Sequence, residues 1–241
     1  GNLYVGCNSI SNTAGLQRFT KATNTWTNIT PSGLDARVPD LELSSTGRFH
    51  VICGYYNTAA GSAGYRYTDN PATVSSGTWT SPATTFPTQY NVAIESNGNT
   101  LYALPSNSAW GVPTIYKSTN GGANWAATGA TPAFTSGQAW YCMAAAIDPN
   151  NANNVIVGSL DCYKTTNGGT SWTKISEWVG TTGQYVHADQ QIITWNSNNQ
   201  VLVGSDGGVH YSGNGGTTFQ DKNQGLRIKQ FYAVANHPTS T

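Results

Sequence analysis

His187 and Asp189 stand two residues apart in Tyr185-Val186-His187-Ala188-Asp189-Gln190-Gln191. In an extended strand, alternation would put Tyr185, His187, Asp189 and Gln191 on one face. Four polar groups on one face need solvent, a partner or a ligand. Joined by a second carboxylate such as Asp40, Asp189 would supply the acid-and-base pair of glycoside hydrolysis, one carboxyl raised in pKa and one ionised. The simpler expectation is that His187 and Asp189 bond each other or neighbouring backbone, so no catalytic set is committed. His187, Asp189, Tyr141, Trp110 and Trp178 are then the candidate ligand-binding residues. Of the indoles Trp110, Trp140, Trp178 and Trp195, which offer flat apolar faces to a sugar, Trp195 is expected in core packing, whereas Trp110 and Trp178 lie near loops.

Other reactive types carry less. Asp206, in Ser205-Asp206-Gly207-Gly208, lacks neighbouring carboxylates at Ca²⁺-ligand spacing and reads as a turn former. Cys7, Cys53, Cys142 and Cys162 form no CxxC pair and have no histidine at zinc spacing, so neither a metal nor a cofactor is expected. Four cysteines allow three disulfide pairings. Cys142 with Cys162 is the first pair to test, and buried thiols are the alternative.

The elements that position these residues announce themselves by repetition. Tyr116-Lys117-Ser118-Thr119-Asn120-Gly121-Gly122-Ala123-Asn124-Trp125 aligns without gaps to 163–172 and 210–219, the asparagines at 120, 167 and 214 recurring every 47 residues. A fixed period of that size means one supersecondary unit copied several times. Each copy reads as a leading strand, a polar turn, a second apolar strand, a third strand, and then an Asn-Gly turn into a fourth strand that begins at the aromatic. The leading strands are expected at 38–43, 89–95, 141–147, 185–194 and 231–235. No helical period persists beyond two turns, so the chain is all-β.

The expected architecture is a β-propeller of four-stranded antiparallel blades, about five of them, in a single domain over 1–241. The first copy lacks a leading strand, which 231–235 would supply in a closed ring. The favoured alternative is an excerpt of a larger propeller. An outer-membrane barrel shares the composition but not the constant-period turn.

Composition narrows function further. Among 241 residues, 11 basic and 11 acidic side chains cancel, and charged residues make up only 9%. No basic excess exists to displace counterions from nucleic acid. No apolar run approaches membrane-spanning length. Few lysines and much Thr, Ser and Asn point to a chain working outside the cell.

Ser118-x-Asn120-x-Gly122-x-x-Trp125, with its copies Thr165-x-Asn167-x-Gly169-x-x-Trp172 and Ser212-x-Asn214-x-Gly216-x-x-Phe219, resembles the Asp-box (BNR) repeat, with Asn in place of the usual Asp. Val203–Val209 and Gly225–Tyr232 resemble the sortilin-like and xyloglucanase-like members most. The resemblance implies that the box residues are structural turns, away from the central site. With no acidic or arginine constellation for catalysis and few ions in the chain, the reading is a secreted or cell-surface bacterial module that binds a glycan or an extracellular protein without catalysis. The alternative that the resemblance implies is a xyloglucanase-like hydrolase using Asp40 and Asp189. The arginine cluster of sialidases is missing.

Overall fold

Short stretches in which one side-chain face is buried and the next is not build the molecule. The computed structural model describes residues 1–7, 14–179 and 184–226, and within them forms eighteen strands and one 3-10 turn, Ala60–Ser62. The first sheet holds β1 (Asn2–Gly6), β2 (Leu16–Thr20) and β3 (Thr25–Asn28); the second holds β4 (Leu41–Leu43), β5 (Phe49–Cys53) and β6 (Gly64–Thr68). Three four-stranded meanders follow. They are β7 (Val92–Asn97), β8 (Thr100–Pro105), β9 (Tyr116–Ser118) and β10 (Ala126–Ala127); β11 (Ala144–Ile147), β12 (Val155–Gly158), β13 (Cys162–Thr165) and β14 (Thr173–Lys174); β15 (Gln190–Trp195), β16 (Val201–Ser205), β17 (Gly208–Ser212) and β18 (Gln220–Asp221). Every pairing is antiparallel between consecutive strands. In the second sheet Tyr67 bridges Thr80, a rudimentary fourth strand that Pro82 cuts short.

The sheets stack in sequence, each pair sharing one apolar core. Leu16, Ile29, Phe49 and Val51 join the first and second, and Ile52, Tyr65, Phe86, Ile94 and Trp125 the second and third. Tyr102, Leu104, Phe134, Ile147 and Val155 join the third and fourth, and Ile156, Val186, Ile193, Trp195 and Val201 the fourth and fifth. Each such side chain contributes about 1.5–3 kcal/mol by leaving water. The leading strands β4, β7, β11 and β15 lie side by side along the axis. The architecture is a β-propeller of antiparallel sheets. Leu3 and Trp26 of the first sheet and Ile192 and Leu202 of the last are exposed. The strand expected at 231–235 lies outside the described residues, as do Gln230 and Tyr232.

The three Asn-Gly-Gly hairpins share one geometry. The Asn120 Oδ1 accepts the N–H of Asn124 at 2.9 Å, Asn167 that of Ser171 at 3.0 Å and Asn214 that of Thr218 at 2.9 Å. The hydroxyl two residues earlier donates to the same Oδ1 and accepts the N–H of the second glycine: Ser118 from Gly122, Thr165 from Gly169, Ser212 from Gly216. The asparagine therefore reaches four residues on, not the two of an ordinary Asx-turn. The left-handed residues are the two glycines, with φ of 66° and 81° at Gly121 and Gly122. The aromatics Trp125, Trp172 and Phe219 pack into the inter-sheet cores.

Because the strands run out and back, their connections fall at two ends. One end gathers the Asn-Gly-Gly hairpins and the first-to-second strand turns. Gly121, Gly168 and Gly215 tie the two sets together by donating to the carbonyls of Asn99, Asn153 and Asn199. The other end gathers the second-to-third strand loops and the sheet-to-sheet connections; it is the loop end.

Candidate functional site

Two features stand where a ligand could enter: a cleft along the axis and the loop end above it. The cleft, about 530 Å³, lies between β4, β7, β11 and β15 and holds Asp40, Glu42 and Glu95. Asp40 enters β4 with its carboxylate capped by the N–H groups of Ile94 and Leu41, both at 2.8 Å. Burial outweighs those bonds and pushes Asp40 up to about 7. Glu95 is pushed up to about 8 by burial and then by the negative Glu42 and Asp40. Glu42 is raised by burial, with the Ser96 hydroxyl opposing the shift. The leading strands bring these three acids together along the axis.

Asp189 does not line this cleft. It sits at φ 62° just before β15, and its Oδ1 lies 3.5 Å from the Cys142 Sγ. Left-handed backbone at Asp189 and a register shift between Gln190 and Ile192 stop the strand at Gln190. The single face expected for Tyr185, His187, Asp189 and Gln191 is therefore not formed. His187 bonds its neighbour Ala188 O through Nδ1 at 2.9 Å, not Asp189. Its ring lies over Gly207, where a Cβ would fall 2.2 Å from the imidazole. Tyr185 pairs with Glu177 in an isolated bridge and packs edge-on to His210. Cys142 and Cys162 are thiols, not a disulfide. Cys142 meets Ser159 at 3.1 Å and Cys162 meets Gln190. Burial pushes both up to about 12, so neither is a thiolate nucleophile.

The loop end carries two groups of aromatic rings tied by one hydrogen bond. Trp110, on the loop after β8, packs against Tyr55 and Tyr56 from the loop after β5 at 6.0 and 5.6 Å between centroids, and against Tyr90 edge-on at 5.5 Å. The Tyr55 hydroxyl donates to Trp140 O at 3.2 Å, and Trp140 packs on Tyr141 at 5.4 Å. The Tyr141 hydroxyl donates to Asp206, between β16 and β17, at 2.7 Å. Tyr56, Trp140 and Tyr141 stay 54%, 51% and 43% exposed. Of the seven described non-glycine residues with positive φ, five lie here: Tyr56, Asn57, Trp110, Ser136 and Asp189. Left-handed backbone at a Tyr and a Trp is costly, and such strain gathers at functional sites.

Of the predicted ligand residues, Trp110 and Tyr141 therefore join one platform, with Asp189 beside Tyr141. Trp178 is exposed but separate, its backbone N–H donating to Asp161. Trp195 is buried and bonded to Asn199. Sequence reasoning missed Tyr55, Tyr56 and Tyr90, because their loops are distant in the chain and no period links them. Among the described residues, no three His, Cys, Asp or Glu side chains gather as metal ligands, and no helix is long and apolar enough to cross a membrane.

No protein-family model and no curated protein matches the sequence. Among solved structures, an ancestral GH74 enzyme superposes over 84% of this chain with a TM-score of 0.51 at 17% identity. The chain spans 26% of that enzyme's length. The GH74 xyloglucanase from Xanthomonas campestris gives a TM-score of 0.47 at 16% identity over 91% of this chain and 40% of its own. YCF48 bound to D1 peptide gives 0.35 at 14% identity over 58% of this chain and 45% of its own. The first of these likenesses supports the β-propeller architecture reached from the strands.

Proposed function

We propose that the protein is a non-catalytic binding module working outside the cell, and that its ligand is a glycan laid across the loop-end platform. The observation that carries this is the ring group Tyr90, Trp110, Tyr56 and Tyr55, tied through the Tyr55 hydroxyl and the Trp140 carbonyl to the ring pair Trp140 and Tyr141. Exposed aromatic faces stack on the C–H faces of pyranose rings, and nearby hydroxyl and amide groups orient the sugar. The chain's low charge and abundant Thr, Ser and Asn fit an extracellular setting. An extracellular protein partner is the alternative ligand.

The hydrolase alternative, with Asp40 and Asp189 as its carboxylates, meets an obstacle. Asp40 faces the axial cleft, and Asp189 lies outside it. The deciding experiment is a glycan array probed with the wild type, Trp110→Ala and Trp140→Ala, together with assay of bound polysaccharides for new reducing ends. Retained sugars lost in both variants, with no cleavage, support the reading. Cleavage abolished by Asp189→Asn would replace it with the hydrolase, and silence on every sugar would pass the weight to a protein ligand.

A further inference from the structure

The charges of this neutral chain are unevenly placed. Among the described residues, the loop-end segments 54–63, 81–91, 106–115, 128–143, 159–161, 175–179 and 184–189, with Asp206-Gly207, contain no Lys or Arg. They carry Asp161, Glu177, Asp189 and Asp206. Lys222, which follows β18, turns its amino group onto Gln220 and the Tyr211 ring. Lys174 reaches in from β14 and neutralises Asp161 at 2.9 Å and Glu177 at 3.7 Å. Arg37, on the connection into β4, is held by Asp35. Asp189 and Asp206 have no ion-pair partner among the described residues. Both act on Tyr141, at the exposed end of the aromatic run. Cations work at the opposite end instead: Arg48 donates to Gly121 O, Lys117 to Asn153 and Lys164 to Gly215 O.

An aromatic surface bordered by carboxylates that have no ion-pair partner among the described residues attracts cations twice, through the ring faces and through Coulomb attraction. A neutral sugar would leave those carboxylates unused, and an acidic one would be repelled by them. We infer that the platform selects glycan chains bearing protonated amino groups, a polymer of 2-amino sugars, over neutral or acidic chains. The inference rests on the glycan reading above and adds the ligand's charge to it. Stacking of the pyranose rings on Trp140 and Tyr56 would place amino groups along the run towards Asp206 and Asp189.

The test is titration calorimetry in mildly acidic buffer with four oligosaccharides of equal length: glucosamine, N-acetylglucosamine, neutral glucan and galacturonan. Glucosamine is expected to bind about tenfold tighter than its N-acetylated form, the preference shrinking as salt is raised. Asp206→Asn and Asp189→Asn should each cut that preference several-fold, the glucosamine chain losing more affinity than the neutral chains. Asparagine tolerates left-handed backbone, so the second variant keeps the loop geometry. Equal affinity for the amino and N-acetyl chains, or a salt-independent preference, overturns the inference while leaving the glycan reading standing. Failure of all four chains to bind overturns both, as does binding of a lysine-rich peptide alone.

Discussion

Tyr141 and Asp206 are 65 residues apart in sequence, yet the tyrosine hydroxyl donates to the carboxylate at 2.7 Å across two neighbouring sheets. The bond needs the proton on the phenol, and so pushes Tyr141 up to about 12. Removing the charge should bring it back towards an ordinary tyrosine. Ultraviolet titration of Asp206→Asn, with Tyr141→Phe identifying the signal, is expected to show that drop. A Tyr141 transition unmoved by the substitution would mean that the pairing does not hold in solution.

Glu95 makes stability depend on pH. Its folded value, about 8, lies above the unfolded one, so between the two the native state holds the extra proton. Unfolding free energy therefore falls as pH rises through that window. Glu95→Gln removes the penalty and should stabilise the fold by about 2 kcal/mol at neutral pH. Urea unfolding at about pH 5 and about pH 8 checks both the slope and its reduction in the variant, the remainder being carried by Asp40 and Glu42, whose values are also raised.

At Gly122 a methyl group would sit 1.8 Å from the Tyr65 hydroxyl, on backbone at φ 81°. Gly122→Ala is therefore expected to cost more than about 2 kcal/mol. Gly33, at φ 79° but with open space around it, should cost only about 1 kcal/mol on the same change. Comparable thermal shifts for the two variants would contradict the packing described.

The buried thiols offer a chemical check. Cys53, Cys142 and Cys162 are all pushed up to about 12 by burial, so an alkylating reagent should leave them unmodified in the folded protein and label them only in denaturant. Peptide mass mapping reads this directly. A disulfide-linked 142–162 peptide would refute the thiol state.

Tyr56→Ala and Trp140→Ala remove exposed rings and should each weaken glycan binding about tenfold, with melting temperatures little changed. Trp178→Ala, away from the ring cluster, should leave affinity intact. Loss of binding in that variant would move the site towards the fourth-to-fifth sheet connection.

Much of the scaffold was legible in the sequence because it is periodic. The 47-residue spacing located the hairpins, and continuous apolar runs located β12 and β16. What alternation could not reveal was the break at Asp189, since a left-handed residue leaves no mark on a hydrophobic pattern. Leading strands began later than expected for the same reason: 141–143 and 185–189 belong to sheet-to-sheet connections, whose backbone is set by tertiary contacts such as Asn91 Nδ2 with Ala139 O. Trp110, Trp140 and Tyr141 were visible as isolated aromatics. Their union with Tyr55 and Tyr56 depends on three loops from different sheets, a relation that only the folded chain supplies.

The hooks at the hairpin end carry a mechanical implication. Lys117 and Lys164, equivalent residues 47 positions apart, each fasten a sheet to the turn of its successor. Pulling or truncating the chain should therefore release sheets one after another at this end, because each of these hooks joins only neighbours. The ring cluster, bridging three sheets at the far end, would be dismantled before the inner sheets let go.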